Sequence, residues 1–198
     1  MYIPRHFHIT DREEIFSFIE HNAFGQIIST VQGRLFSTHI PFLVSDDKQK
    51  LFGHFARQNP QSKDIDRQEV MVTLEGPHGY ISPSWYLNPG VPTWNYQAVH
   101  IYGICKILPE LTAVKTIVDR LSNKYEEAFE TYWEPDYNAE MLKHIVGFEI
   151  DITDIQCQYK LSQNRSEQDR ENVISHLQDT GSTGLADAIR ATNEAQIN

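Results

Sequence analysis

The sequence predicts an α+β fold that is mainly β, its antiparallel strands long enough to close or half-close as a barrel, with helices at the periphery. Three observations point there. Short apolar runs rich in Ile, Val, Phe and Thr recur from Phe24 to Ala56 and from Glu69 to Leu108, broken by turn-forming residues. Helical spacing of apolar residues is confined to the segments between and beyond those runs. The 198 residues, 40% of them hydrophobic, suffice for one ordinary core, and no stretch approaches the roughly 18 uninterrupted apolar residues of a membrane span.

Thr10 and Glu13 have the spacing of a capping box, and Ile15, Phe16, Phe18 and Ile19 follow at helical intervals, so a first helix is expected over 11–21. GQIISTV, RLFSTHIPFLVS and KLFGHFA read as three strands separated by QG at 32–33 and the polar SDDKQK at 45–50. Asn59-Pro60 can open a short helix carrying Ser62, Lys63 and Ile65, because a proline in the first turn lacks only a donor that had no partner. Strand character returns from Glu69 to Tyr86, bent at Gly76-Pro77, and again from Ala98 to Leu108, completing a five-stranded set.

Leu111, Val114, Ile117, Val118, Leu121 and Tyr125 form one face of a helix over 110–127. Asn138 can cap a further helix through Met141, Leu142 and Ile145, ended by Gly147, after which Phe148, Ile150 and Ile152 alternate as a strand. Ser166, three positions before Asp169, opens a helix over 167–178. These elements place the domain in residues 1–178, with 179–198 as a tail or a short docked helix.

The N-terminus MYIPRHFHITDREE lacks a signal-peptide core, which favours the cytoplasm. Cys105 and Cys157 lie in apolar, strand-like segments and are expected to be buried thiols without a disulfide. A formal charge of −10 opposes affinity for DNA or anionic membrane, which clustered Lys and Arg supply, and no locally basic face is evident. There is no P-loop, G-x-G-x-x-G, G-x-S-x-G or H-E-x-x-H. His6-x-His8 could share one face of an extended segment, but without further ligands it makes no metal site.

Two stretches carry chemistry. In HFARQNPQSKD, a strand edge supplies His54 and Arg57, a turn supplies Asn59, and a helix start offers free backbone N–H groups beside Ser62 and Lys63. That grouping suits an anion such as a phosphate monoester, and equally a set of ordinary surface ion pairs. In PSWYLNPGVPTWNYQAVHIYG, Ser82, Ser84, Thr93 and Asn95 interleave with Trp85, Tyr86, Trp94 and Tyr96. This is the composition of a wall for a flat heteroaromatic ring, or of a hairpin that fills its own core.

The strings HFARQNPQ, YISPSWY, VPTWNYQAVH, IVGFEI and KLSQNR resemble the PaiB family, grouped with FMN-binding split-barrel proteins and described as negative transcriptional regulators. The likeness runs from MYIPRHF to about Leu177. It implies a split β-barrel related to pyridoxamine-phosphate oxidase and flavin reductases, with FMN near a homodimer interface. Carried over by position, Arg57, Asn59, Ser62 and Lys63, with His54 beside them, would hold the FMN phosphate. Thr38, His39 and Pro41 would lie near the isoalloxazine, and Ser82, Trp85, Trp94 and Asn95 would form the facing wall, from this chain or a partner. Gln163, Asn164 and Arg165 would close the site.

The resulting expectation is a cytoplasmic FMN-binding homodimer associated with negative regulation, with flavin-dependent redox activity on an unidentified small substrate. Hydride chemistry belongs to the cofactor, so no catalytic residue is named. One rival is a DNA-binding repressor acting without flavin chemistry, which the charge opposes. The other is a haem-binding or haem-degrading split barrel, which the nine histidines suggest.

Overall fold

The computed structural model of the chain describes residues 1–130 and 133–197. Its strands are β1 His8–Ile9, β2 Phe24–Val31, β3 Arg34–Pro41, β4 Leu43–Val44, β5 Lys50–Ala56, β6 Glu69–Ile81, β7 Thr93–Leu108 and β8 Ile145–Lys160. The helices are α1 Arg12–His21, α2 Gln61–Asp64, α3 Leu111–Glu126, α4 Ala139–Leu142, α5 Glu167–Asp179 and α6 Thr183–Ile197. The chain forms two compact units: a terminal one from Met1–Ile15, Glu75–Val99 and Gln156–Asn198, and a central one from Phe16–Leu74 and His100–Ile155. Among the described residues no helix is long and apolar enough to cross a membrane.

The strands pair in the order β3-β2-β6-β7-β8-β5-β4, with β3 and β4 as the free ends of an open path, the arrangement of a split barrel. They exceed the expected five-stranded set and the one further strand through Phe148, Ile150 and Ile152. The β2–β3 hairpin turns at Gln32 and Gly33, whose φ values of 48° and 76° are those of a two-residue type I′ turn, and Val31 pairs with Arg34 across it. Phe42, Phe55 and Phe148 meet in the core, with Phe55 and Phe148 ring centroids 4.7 Å apart. Gly53 is required there, since a Cβ would stand 2.6 Å from the Phe148 ring.

Helix α3 lays its apolar stripe, Val114, Ile117 and Leu121, on the sheet, where Ile117 and Leu121 pack with Leu43, Phe52 and Leu108. This contact explains one departure from expectation. Gly147 belongs to β8 and does not end a helix, because a Cβ there would crowd Ile117 and Val114 at 3.2 and 3.4 Å. Helix α4 is accordingly four residues long, capped as expected by Asn138, whose Oδ1 accepts the Met141 N–H at 3.1 Å, and Ile145 opens the strand.

In the terminal unit β6 stops at Ile81 rather than Tyr86. Pro83 has no N–H for a ladder, and Ser82 instead caps a 3-10 turn over Pro83–Trp85 by accepting the Ser84 N–H at 3.2 Å. β7 begins at Thr93, five residues before the expected Ala98. β1 pairs with β8 through His8–Gln158 and Ile9–Cys157. Asp11, not Thr10, caps α1, its carboxylate accepting the Glu14 N–H at 3.0 Å. Ser166 caps α5 by accepting the Asp169 N–H, as its spacing predicts.

Residues beyond Gly181 form α6, which buries Leu185, Ala186 and Ile189. Leu185 reaches β6, its Cδ2 lying 3.0 Å from where a Cβ on Gly79 would stand. Each large apolar side chain buried this way contributes about 1.5–3 kcal/mol, enough to order the segment. Cys105 and Cys157 are buried and not disulfide-bonded. Burial, with nearby carboxylates, pushes both thiols up to about 12, so neither is a nucleophile at neutral pH.

Candidate functional site

In the central unit the HFARQNPQSKD segment folds around Gln61, a residue that spacing did not single out. Gln61 is fully buried. Its Oε1 accepts from Thr38 Oγ1 at 2.6 Å, and its Nε2 donates to Ser29 Oγ at 2.8 Å and toward the Ile27 and Phe36 carbonyls at 3.2 and 3.4 Å. Asn59 completes the knot: its Nδ2 donates to Thr38 Oγ1 at 2.9 Å and its Oδ1 accepts the Gln61 N–H at 2.9 Å. The turn is thereby locked to β2 and β3.

The free N–H groups expected at the start of α2 are in use. Gln61 N–H goes to Asn59 Oδ1, and the Ser62 and Lys63 N–H groups go to the Asn59 and Pro60 carbonyls at 3.1 Å each. Tight i→i+3 bonding of a four-residue helix consumes the donors that a longer helix would leave open. Ser62 Oγ likewise donates to the Asn59 carbonyl at 2.8 Å. Asn59 and Ser62 therefore shape the turn.

Two cations remain at this turn. Arg57 donates its Nε to the Lys143 carbonyl and one Nη to the Ile145 carbonyl at 3.0 Å, which aims the guanidinium while leaving other N–H groups open. Lys63 is exposed and makes no ion pair among the described residues. Among the described residues no carboxylate forms an ion pair with either cation. The donor set, two exposed cations on a braced turn, fits a phosphate monoester.

β3 splits its three candidates between two faces. Thr38 turns inward to Gln61, whereas His39 and Pro41 share the outer face with Phe24 and Leu35. His39 stacks on Phe24 with ring centroids 6.3 Å apart, and Phe24 and Leu35 are 64% and 81% exposed. His54 lies elsewhere. It shares its strand face with Phe52, against which α3 packs, and its Nδ1 is buried without a partner among the described residues. Burial lowers its pKa from 6.5 and so favours the neutral imidazole.

In the terminal unit the two tryptophans of the aromatic stretch do different things. Trp85 stacks on His176 of α5, 5.1 Å between centroids and 17° between planes. Trp94 is 55% exposed, edge-on to Tyr80 at 6.3 Å. Asn95, next in β7, points to the opposite face and is buried, its Nδ2 donating to Ser162 Oγ at 2.8 Å. Ser82 is engaged with Ser84.

In KLSQNR, Gln163 bonds its own loop through the Leu161 N–H and the Tyr159 carbonyl, Asn164 is exposed, and Arg165 lies over the Tyr86 ring at 4.1 Å. Lys160, not singled out in the sequence, joins Arg165 and Tyr86 of the aromatic stretch around a cavity of about 130 Å³. A lysine ending an apolar strand gave no local sign of that. His6 sits in a 3-10 turn and His8 opens β1, so the two do not share one extended segment.

Comparison with known proteins gives a family match over residues 1–154, described as "Putative FMN-binding domain". The chain is 46% identical over 188 residues to the protease synthase and sporulation protein PAI 2 of Bacillus subtilis strain 168, covering 90% of this chain and 89% of that protein. Among solved structures, the flavocytochrome Anf3 of Azotobacter vinelandii superposes with a TM-score of 0.63 at 14% identity, over 86% of this chain and 78% of that one. The FAD and haem binding protein of Mycobacterium smegmatis gives a TM-score of 0.61 at 12% identity, over 77% of this chain and 73% of that one. At those identities the two structures speak for the fold.

Proposed function

The chain belongs to the FMN-binding domain family that matches its residues 1–154, its cofactor is FMN, and on that premise we propose that it is a homodimeric flavoprotein with redox activity on a small substrate. The observation that carries the placement of the cofactor is the pair of unneutralised cations, Arg57 and Lys63, on a turn locked by Gln61. In this reading they meet the phosphate, while Asn59 and Ser62 hold the turn's shape. His39 and Pro41 offer the outer face of β3 to the ring. Bound FMN supplies the electron transfer, and the protein supplies position, electrostatics and exclusion of water.

The same outer face supports the homodimer. Exposed Phe24 and Leu35, rimmed by Ser37, His39 and Gln26, make an apolar surface suited to a second copy. A regulatory role, if exerted, acts through the flavin or another protein in this reading, because a net charge of −10 disfavours a direct grip on DNA.

The test compares FMN with riboflavin, which lacks the phosphate, by flavin fluorescence titration. Wild type is expected to prefer FMN by about tenfold or more, and Lys63→Gln with Arg57→Gln to remove the preference while riboflavin binding stays. Equal affinity for both flavins in wild type would sink the phosphate assignment, and no uptake of either would sink the function. Light scattering on wild type and Leu35→Asp tests the dimer: a wild-type monomer overturns it.

A further inference from the structure

A cavity of about 130 Å³ lies in the terminal unit. Lys160 and Arg165 line it together with Asn95, Ser162, Thr93 and Tyr86, and among the described residues no carboxylate does. In a protein where 27 acidic residues outnumber 17 basic ones, two cations facing one cavity with no acid between them call for an anion from outside.

The polar groups on the wall are held ready. Lys160 Nζ donates to Thr93 Oγ1 and to the Trp94 carbonyl, which fixes the ammonium and leaves one of its three N–H groups open. It makes no ion pair among the described residues, and burial alone pulls its pKa below the usual range, the mark of a cation lacking its counter-charge. Arg165 is steered by stacking on Tyr86. Tyr86 is only 8% exposed, and its hydroxyl is buried without a partner among the described residues. Asn95 and Ser162 are 1% and 4% exposed and bonded to each other, with Ser162 held in the left-handed region at φ 65°. Such strain persists where the surroundings impose it.

Size limits the occupant. Pockets for drug-sized molecules run about 300–1,000 Å³, so a ring system does not fit, whereas a single oxyanion head does. We propose that this cavity binds the anionic head of a small molecule, a carboxylate or a phosphate monoester, with Lys160 and Arg165 as its charge partners and Tyr86 and Asn95 as its hydrogen-bonding walls. Naming that molecule the substrate rests on the flavin reading; the anion site itself does not.

Calorimetric titration of flavin-free protein with inorganic phosphate and with acetate tests it. Binding of either probe is expected in wild type, weakened about tenfold by Lys160→Gln and by Arg165→Gln and recovered by Lys160→Arg. The tighter probe identifies the head group. Arg165 is only partly buried, so Arg165→Gln keeps the test open should Lys160→Gln fail to fold by circular dichroism. No heat from either probe, affinities unchanged in both Gln variants, or a phosphate affinity that responds only to Lys63→Gln would each overturn the proposal. A protein that takes up no FMN yet shows the expected pattern keeps this site and loses the flavin reading.

Discussion

Replacing Gln61 by methionine keeps the side chain's length and removes its amide. Ser29 Oγ, 4% exposed as a residue, loses its donor, and Thr38 Oγ1 loses its acceptor while keeping the bond from Asn59. Each buried polar group left unpaired costs about 1–3 kcal/mol, so Gln61→Met should destabilise the protein by about 3 kcal/mol. With a urea dependence of about 2 kcal/mol per molar, the unfolding midpoint should fall by about 1.5 M. Adding Ser29→Ala removes one orphan, and the double variant should regain about 1 kcal/mol. The assay is urea unfolding followed by tryptophan fluorescence, with an FMN titration on the same samples. A midpoint within about 0.3 M of wild type, or a double variant less stable than the single one, would refute the claim that this amide locks the turn.

Gly53→Ala places a Cβ 2.6 Å from the Phe148 ring and should cost about 2 kcal/mol, seen as a Tm lower by about 6 °C. Ile189→Ala in α6 empties a fully buried position and should cost about 2–5 kcal/mol, read as faster amide exchange over 183–197. His54 has its pKa depressed by burial from 6.5, so the unfolded chain binds a proton that the folded imidazole resists. Stability from this group is therefore intact above about pH 6.5 and declines as the pH falls toward the lower folded value. His54→Gln should flatten the urea midpoint between about pH 7.5 and pH 5.5, and an equal slope in both proteins would count against it.

The sequence by itself determined what depends on near neighbours. Caps at Asn138 and Ser166 were legible because a side-chain oxygen serves a backbone donor three residues on, and the amphipathic stripe of α3 because a helix repeats its faces. Where two local solutions compete, as with Thr10 and Asp11 or with Gly147 as helix stop or strand residue, spacing alone chose wrongly and packing decided. The two chemical stretches were legible as candidates, but not the duties of their residues. Only the tertiary structure commits Arg57 to carbonyls 86 and 88 residues away, turns Asn59 and Ser62 into braces, stacks Trp85 on His176 and draws Lys160 and Arg165 to one cavity with no acid on its wall. The physical reason is that each such contact contributes only about 1 kcal/mol and leaves no periodic trace, and those of Arg57, Trp85 and the cavity wall exist only after strand register and helix docking have brought distant groups together.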